Sequence, residues 1–223
     1  MSRPNNHSSD REAISELTTG RLSVYLRCLT YLEGQGQKTV SSHEMADRFH
    51  LNSAQIRKDL ACFGEFGTRG VGYDVARLKR QLVHTLGMDR TRNVIIVGAG
   101  NLGMALADYA GFNAGGFHIV ALVDADPAKA GRTSREGIPV LPWERLAEIV
   151  RRNRVEIGII AVPAEAAQAV YDALADAGLH AVLNFAPVQL KLRPDVKVKS
   201  VDLRINLESL SFHLKNVEDG ILS

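Results

Sequence analysis

Gly98, Gly100 and Gly103 fall in the spacing Gly-x-Gly-x-x-Gly, directly after the apolar stretch Asn93 to Val97 and ahead of a helix-forming segment. In that context the spacing suits the pyrophosphate of a dinucleotide. Gly98 allows a tight turn, Gly100 lets the phosphates approach the backbone, and Gly103 allows helix to pack on sheet. The run Gly98-Ala99-Gly100-Asn101-Leu102-Gly103 would place phosphates on the free N–H groups of a helix start. Asp124 ends the next apolar stretch about twenty residues on, where a carboxylate binds the adenosine ribose. No arginine follows it directly, so the pattern predicts NAD(H) rather than NADP(H).

A second group of residues has a different chemistry. On a wheel of about 100° per residue, Ala54 to Phe63 turns Ile56, Leu60 and Phe63 inward. Ala54, Lys58 and Ala61 turn outward, with Arg57 on one side and Gln55 on the other. Small alanines let a helix lie close in a major groove, where Arg57 and Lys58 reach guanine edges or phosphates and Gln55 can read adenine. Arg69 lies in a glycine-rich stretch beyond that helix, placed for a minor groove or a phosphate. By itself such a face is equally a solvated surface. The elements around it decide.

Those elements begin with a helix over Arg21 to Glu33, broken by Gly34-Gln-Gly36. Ser41-Ser-His-Glu44 matches a capping box, in which hydroxyl and carboxylate each satisfy a free N–H. It opens a helix ending near Phe49. Asn52 caps a third helix running to about Phe63, and two helices joined by a short turn form a helix-turn-helix. Gly64 to Tyr73 holds enough glycine to favour a hairpin, which in this place is a wing. Val75 to Leu86 is a further helix stopped by Gly87.

After that, strand and helix alternate. Strands are predicted at Val94–Val97, Ile119–Val123, Ile157–Val162, Ala181–Leu183 and Val198–Val201. Helices are predicted from the glycine motif to about Gly111, over Pro142–Arg152 and over Glu165–Ala177. Apolar strands alternating with helices indicate a parallel sheet covered on both faces. Arg204 to Val217 is a last helix with Ile205, Leu207, Leu210, Phe212, Leu214 and Val217, and it needs an apolar partner.

The expected fold is α/β: an N-terminal winged helix-turn-helix plus a Rossmann doubly wound parallel sheet. The expected boundaries are a disordered tail at 1–15, a DNA-binding domain at 16–86, a dinucleotide domain at 87–203 and a C-terminal helix at 204–223. Residues 16–86 carry a formal charge of +3 and residues 87–223 of −1, which weakly favours nucleic acid at the first part. No apolar run nears the roughly 18 residues that span a bilayer. The start lacks the apolar core of a signal peptide, so the expected location is cytoplasmic with no membrane partner. Cys28 and Cys62, with no Cys-x-x-Cys, argue against a disulfide framework and a metal site; a lone cysteine is usually a small buried hydrophobe.

The combined residues resemble the Rex family of bacterial redox-sensing repressors, over nearly the whole chain after the tail. The resemblance rests on Gln55-Ile-Arg-Lys-Asp-Leu60, Phe63-Gly-Glu-Phe-Gly-Thr-Arg-Gly-Val-Gly-Tyr73, Val97-Gly-Ala-Gly-Asn-Leu-Gly103, Val162-Pro163, Asn184-Phe185-Ala186-Pro187 and Val201-Asp202. It implies a homodimer with each C-terminal helix swapped onto its partner. It implies a double-stranded, palindromic operator, bound when NADH is low and released when NADH rises, at genes of respiration and fermentation. By motif match, Val162, Pro163, Asn184, Phe185 and Ala186 join the glycine motif and Asp124 in binding NADH or NAD⁺. Tyr109 and Asp202 match a sensing pair, and Arg27 an arginine that pairs with that aspartate in the DNA-competent state. Asn101 stands where some members carry arginine, and Leu203 where some carry phenylalanine. From residue type alone, Tyr109 is equally a core aromatic, Asp202 a helix cap and Arg27 a solvated charge.

The main rival is an NAD-dependent dehydrogenase with an added DNA-binding domain. It needs a proton donor near the nicotinamide and a substrate domain. His118 and His180 fall near strand starts, the wrong end of a parallel sheet, and no segment remains for a substrate domain. A third reading, an interaction module whose Rossmann fold has lost its ligand, is opposed by the intact glycines and Asp124. No catalytic residue and no metal ligand is therefore expected.

Overall fold

The computed structural model describes residues 16–64, 66–68 and 71–219. The expected tail at 1–15 and Arg69 lie outside them. The chain divides into two compact units, Met1–Arg90 and Thr91–Ser223.

The first unit opens with α1 (Glu16–Gly34), which starts before the expected Arg21. Its first turn carries the exposed Leu17 and adds nothing to the core, so apolar spacing could not reveal it. After β1 (Thr39–Val40), helix α2 (Ser42–Phe49) starts at Ser41, whose hydroxyl accepts from the Glu44 N–H at 3.0 Å. The reciprocal half of the capping box does not form as expected. The Glu44 carboxylate accepts instead from Gln37 Nε2 at 2.7 Å. A turn through His50, in the left-handed region at φ 54°, leads to α3 (Ser53–Ala61), with Asn52 Oδ1 accepting from the Gln55 N–H at 2.9 Å.

Strands β2 (Gly67–Thr68) and β3 (Gly72–Asp74) form the expected antiparallel hairpin, and β1 adds a third strand to it through Val40 opposite Tyr73. A Cβ at Gly72, where φ is 93°, would stand 2.6 Å from the Val40 carbonyl oxygen, so only glycine lets β1 approach. Helix α4 (Val75–Thr85) closes the unit, capped by Asp74. Leu22 and Leu29 of α1, Met45, Ile56, Leu60 and Leu82 bury one core.

The second unit is a six-stranded parallel sheet. Its elements are β4 (Arg92–Val97), α5 (Asn101–Ala107), α6 (Ala110–Ala114), β5 (Phe117–Asp124), β6 (Val140–Pro142), α7 (Leu146–Arg152), β7 (Ile157–Ile160), α8 (Ala164–Asp176), β8 (Ala181–Asn184), β9 (Lys197–Ser200) and α9 (Leu203–Glu218). The order is β6-β5-β4-β7-β8-β9, so the chain runs outward from β4, then returns to β7 and runs the other way. A crevice opens at that switch point, outside the carboxyl ends of the strands. Alternate residues of β4 point to opposite faces. Ile95 and Val97 pack with Ile149, Val170 and Leu174 of α7 and α8, and Val94 and Ile96 pack with Ala107 and the half-buried Phe112.

Two expectations fail here. The helix after the glycine motif does not run unbroken to Gly111, because it stops at Ala107 and restarts at Ala110. Pro142 does not begin a helix. It ends the short strand β6, and a 3₁₀ turn at Trp143–Arg145 leads into α7. Three apolar residues are too few for a period to declare itself, and hydrogen bonds to β5 decide the outcome.

At Gly103 a Cβ would lie 1.8 Å from the Gly98 carbonyl oxygen, so turn and helix are packed to contact. Gly103→Ala is expected to destabilise the second unit by about 1–3 kcal/mol through overpacking, read as a lower urea midpoint.

Candidate functional site

The turn from β4 to α5 sets the first site. Gly98 takes φ 105°, and a Cβ there would stand 2.3 Å from the Ala161 carbonyl oxygen at the end of β7. Gly98 and Gly103 are therefore glycines that the fold itself demands. Gly100 is different. It starts α5 with no side-chain cap, and nothing lies within 4 Å of where its Cβ would be. No neighbour in the chain requires glycine at 100, whereas a group approaching the open N–H groups of the first turn would. Asn101 and Leu102 are exposed at that start, and Gly103 is buried.

Beside the turn is a cavity of about 510 Å³, lined by Gly98, Gly100, Asp124, Lys129, Trp143, Val162, Pro163 and the α8 residues Ala166 and Ala169. Asp124, at the end of β5, holds three hydrogen bonds. Its Oδ2 accepts from the Ala99 N–H at 2.7 Å and the Lys129 ammonium at 2.9 Å, and its Oδ1 from the Asp126 N–H at 2.8 Å. Burial opposes its charge, but the Asp126 N–H, the Lys129 ammonium and the Ala99 N–H together outweigh it. Its carboxyl stays below the ordinary value. One lone-pair direction is left for a hydroxyl. Ala99 takes part through its backbone alone. The residues present fit an adenosine diphosphate half: a flat apolar slot, a charged acceptor and an uncapped helix start.

Lys129 and Trp143 were not anticipated. Lys129 lies on a 3₁₀ turn (Pro127–Lys129) and Trp143 follows the unanticipated β6, so neither carried a periodic signal. An acid closing a strand, with a lysine five residues on, would have been the available clue.

The motif at the end of β8 is braced by its own asparagine. Asn184 is fully buried, and both ends of its amide are used within its own loop. Its Oδ1 accepts from the Ala186 N–H at 3.0 Å, and its Nδ2 donates to the carbonyls of Ala186 at 3.2 Å and Val188 at 3.3 Å. It shapes the loop that carries the half-buried Phe185 and the exposed Pro187. Phe185 and the buried Ala186 stand across the switch point from the Asp124 cavity and do not line it.

Tyr109 is no core aromatic, since 58% of it is exposed. It stands at the break between α5 and α6, edge-on to Phe112 with centroids 5.1 Å apart. Next to it, Asp108 accepts from the Glu136 N–H at 2.9 Å and the Arg135 guanidinium at 3.4 Å. First the Glu136 N–H, then Ser134 and, behind the opposing effect of burial, Arg135, hold its carboxyl down at about 2. This bond ties the break to the loop before β6. Asp202 caps α9, accepting from the Arg204 N–H at 2.9 Å, and Arg27 is exposed on α1. Each belongs to a different compact unit. His118 and His180 sit at the amino ends of β5 and β8, away from the cavity.

On α3, Ile56 and Leu60 are buried and Ala54, Arg57, Lys58 and Ala61 are exposed, as the wheel requires. Arg57 donates to Ser42 Oγ at 3.0 Å, which braces it across the turn. Gln55 is half-buried and donates to Asp59 Oδ1 at 2.7 Å. Asp59 is an inward-facing acid that apolar periodicity missed. Cys62 is exposed, contrary to the general habit of lone cysteines, while Cys28 is buried. Among the described residues no group of His, Cys, Asp and Glu could hold a metal, and no helix is long and apolar enough to cross a membrane.

Two protein-family models match the chain: "Putative DNA-binding protein N-terminus" over residues 13–61 and "CoA binding domain" over residues 89–188. The redox-sensing transcriptional repressor Rex of Carboxydothermus hydrogenoformans is 52% identical over 202 residues, covering 91% of this chain and 97% of that one. That of Desulfitobacterium hafniense is 49% identical over 201 residues, covering 90% and 95%. Among solved structures, RSP in complex with β-NAD⁺ and operator DNA matches at a TM-score of 0.87 and 38% identity, covering 93% of this chain and 95% of that one. RSP in complex with β-NADH matches at 0.82 and 36%, covering 94% and 97%.

A carboxylate whose value falls on folding stabilises the fold above its unfolded value and loses that contribution as pH falls through the folded one. For Asp108 that window runs from about 4 down to about 2. A carbon-detected carboxyl titration should place its midpoint near the bottom of the window. Asp108→Asn should flatten that part of the acid-unfolding profile.

Proposed function

The chain belongs to the Rex family of redox-sensing transcriptional repressors, and from that premise we propose that it is a cytoplasmic homodimer reading the NADH/NAD⁺ ratio. It binds a palindromic double-stranded operator when NADH is low, leaves it when NADH rises, and so controls genes of respiration and fermentation. Members of the family repress transcription and are not catalysts. Gly100 is the observation that carries the dinucleotide half of this reading, since its missing side chain serves only an incoming group. The fit of RSP with its operator supports the DNA half.

The assignments are as follows. Residues 16–86 form the DNA-binding domain behind a tail at 1–15, residues 87–203 bind the dinucleotide, and residues 204–223 form a helix swapped onto the partner. Gly98, Ala99, Gly100, Asn101, Leu102 and Gly103 receive the pyrophosphate. Asp124, seconded by Lys129, receives the adenosine ribose, and Val162 and Pro163 wall the slot. Asn184 acts by holding the loop of Phe185 and Ala186 toward the nicotinamide side. Gln55, Arg57, Lys58 and Arg69 face DNA.

The reduced and oxidised ligands differ at one ring, neutral in NADH and cationic in NAD⁺. Apolar groups such as Phe185 and the exposed Tyr109 can close over a neutral ring, whereas enclosing an unpaired cation costs free energy. Moving a switch from 1:99 to 99:1 needs about 5.5 kcal/mol of differential affinity, which two sites of a dimer share. Tyr109, Asp202 and Arg27 are assigned to that switch. The closed dimer no longer presents its recognition helices to successive major grooves.

Helix α9 supports the dimer. Leu203, Ile205, Leu207, Leu210, Phe212, Leu214 and Val217 are each 48–69% exposed, a set of large apolar side chains on more than one face that a soluble chain rarely leaves in water. A second copy donating the same helix covers it symmetrically.

Gel-shift titrations should show operator binding weakened by NADH far more than by NAD⁺; no such difference would end the reading. Gly100→Ala should keep the wild-type melting temperature, bind NADH at least tenfold more weakly by calorimetry, and hold the operator in the presence of NADH. Phe212→Glu, on α9, should elute as a monomer and bind operator at least tenfold more weakly.

A further inference from the structure

Among the described acids of the first unit Asp59 is the most enclosed, with 4% of its side chain exposed, and it carries no part of the proposed switch. Its Oδ2 accepts from Arg21 Nε at 2.6 Å and Tyr25 Oη at 2.9 Å. Its Oδ1 accepts from Arg21 Nη2 at 2.8 Å and Gln55 Nε2 at 2.7 Å. A carboxylate offers about four lone-pair sites, so none is left over. Chiefly the Arg21 hydrogen bonds, against the cost of burial, hold its carboxyl below the ordinary value. It is charged at any working pH.

That charge decides something about Gln55. An amide side chain can be turned either way round. Here only the NH₂ end can face Asp59, because Oε1 in its place would set two acceptors against each other. Arg21 in turn prevents the carboxylate from rotating, since it grips both oxygens from α1. The Gln55 carboxamide is thereby fixed end for end, with Oε1 and its second N–H uncommitted among the described residues. Gln55 lies in the first turn of α3, and it is the N-terminal residues of a recognition helix that meet base edges. One acceptor beside one donor, at fixed separation, complements adenine, which offers its N6 amino group and N7 in the major groove.

We propose that Arg21 and Asp59 are positioning residues for base readout: an ion pair with 35% of the Arg21 and 4% of the Asp59 side chain exposed orients Gln55 to select adenine at one position in each half-site. This rests on α3 being the recognition helix. The orientation is set before binding, so the complex does not have to immobilise a free glutamine side chain.

The test uses the full-length protein and an operator selected from random duplexes, with each half-site position substituted in turn. Wild type should lose about tenfold in affinity when one adenine is replaced by purine, which lacks N6, or by 7-deazaadenine, which lacks N7. Gln55→Ala should remove that preference and leave the others. Asp59→Asn, which lets the amide turn, should reduce the same preference at least fivefold, with the salt dependence of binding unchanged. Equal loss at every position in Asp59→Asn, or an intact preference, overturns the inference while leaving α3 as the reader. An intact preference in Gln55→Ala, with operator binding also unaffected in Lys58→Ala, overturns the reading of α3 itself. Should Asp59→Asn fail to fold, the wild-type amide protons decide: one Gln55 side-chain proton must exchange slowly, and fast exchange of both overturns the proposal.

Discussion

At the head of the sheet, three backbone segments meet with no room for a side chain between them. Gly98 abuts the end of β7, and Gly103 abuts Gly98, each closer than any Cβ allows. That contact brings the first turn of α5 up against the strand ends. It also leaves the N–H groups of that turn pointing into the crevice rather than into a cap. The cavity beside Asp124 and the uncapped helix start both adjoin this contact. A bulkier turn would move α5 away, and the anion-binding geometry would go with it.

The molecule uses buried carboxylates repeatedly for one purpose. Asp124 locks Ala99, Asp126 and Lys129 around one end of the cavity. Asp108 locks the loop before β6 to the break beneath Tyr109. Asp59 locks α1 to α3. Each is held by two or more donors, and that is what makes an enclosed charge tolerable. Asp124 is itself assigned to a ligand in the proposed function, and Asp108 and Asp59 stand beside assigned residues, so rigidity is supplied where that reading needs it.

The long helix α9 shows the opposite arrangement. Its polar start is satisfied by Asp202, but its apolar face is not. Burial among the described residues does not cover those side chains, and association can. Under the proposed function a repressor that reads a palindrome needs two copies, and the uncovered apolar side chains supply a reason for the second.

Much of this was legible in the residues. The glycine spacing after an apolar strand located the tight turn between β4 and α5, because the close packing at Gly98 and Gly103 depends on absent side chains. The amphipathic wheel of α3 separated its buried from its exposed face correctly at Ile56, Leu60, Lys58 and Ala61, because one period governs the whole helix. The sequence did not reveal β6, the break at Asp108–Tyr109 or the partners of Glu44, Asn184 and Asp59. Those are set by bonds between residues far apart in the chain. Lys129 and Trp143 reach the cavity only because β5 pairs with β6, and the end-for-end setting of Gln55 exists only because α1 brings Arg21 to Asp59. Local pattern can say which residues are able to act, but which atom faces which is decided when distant segments meet.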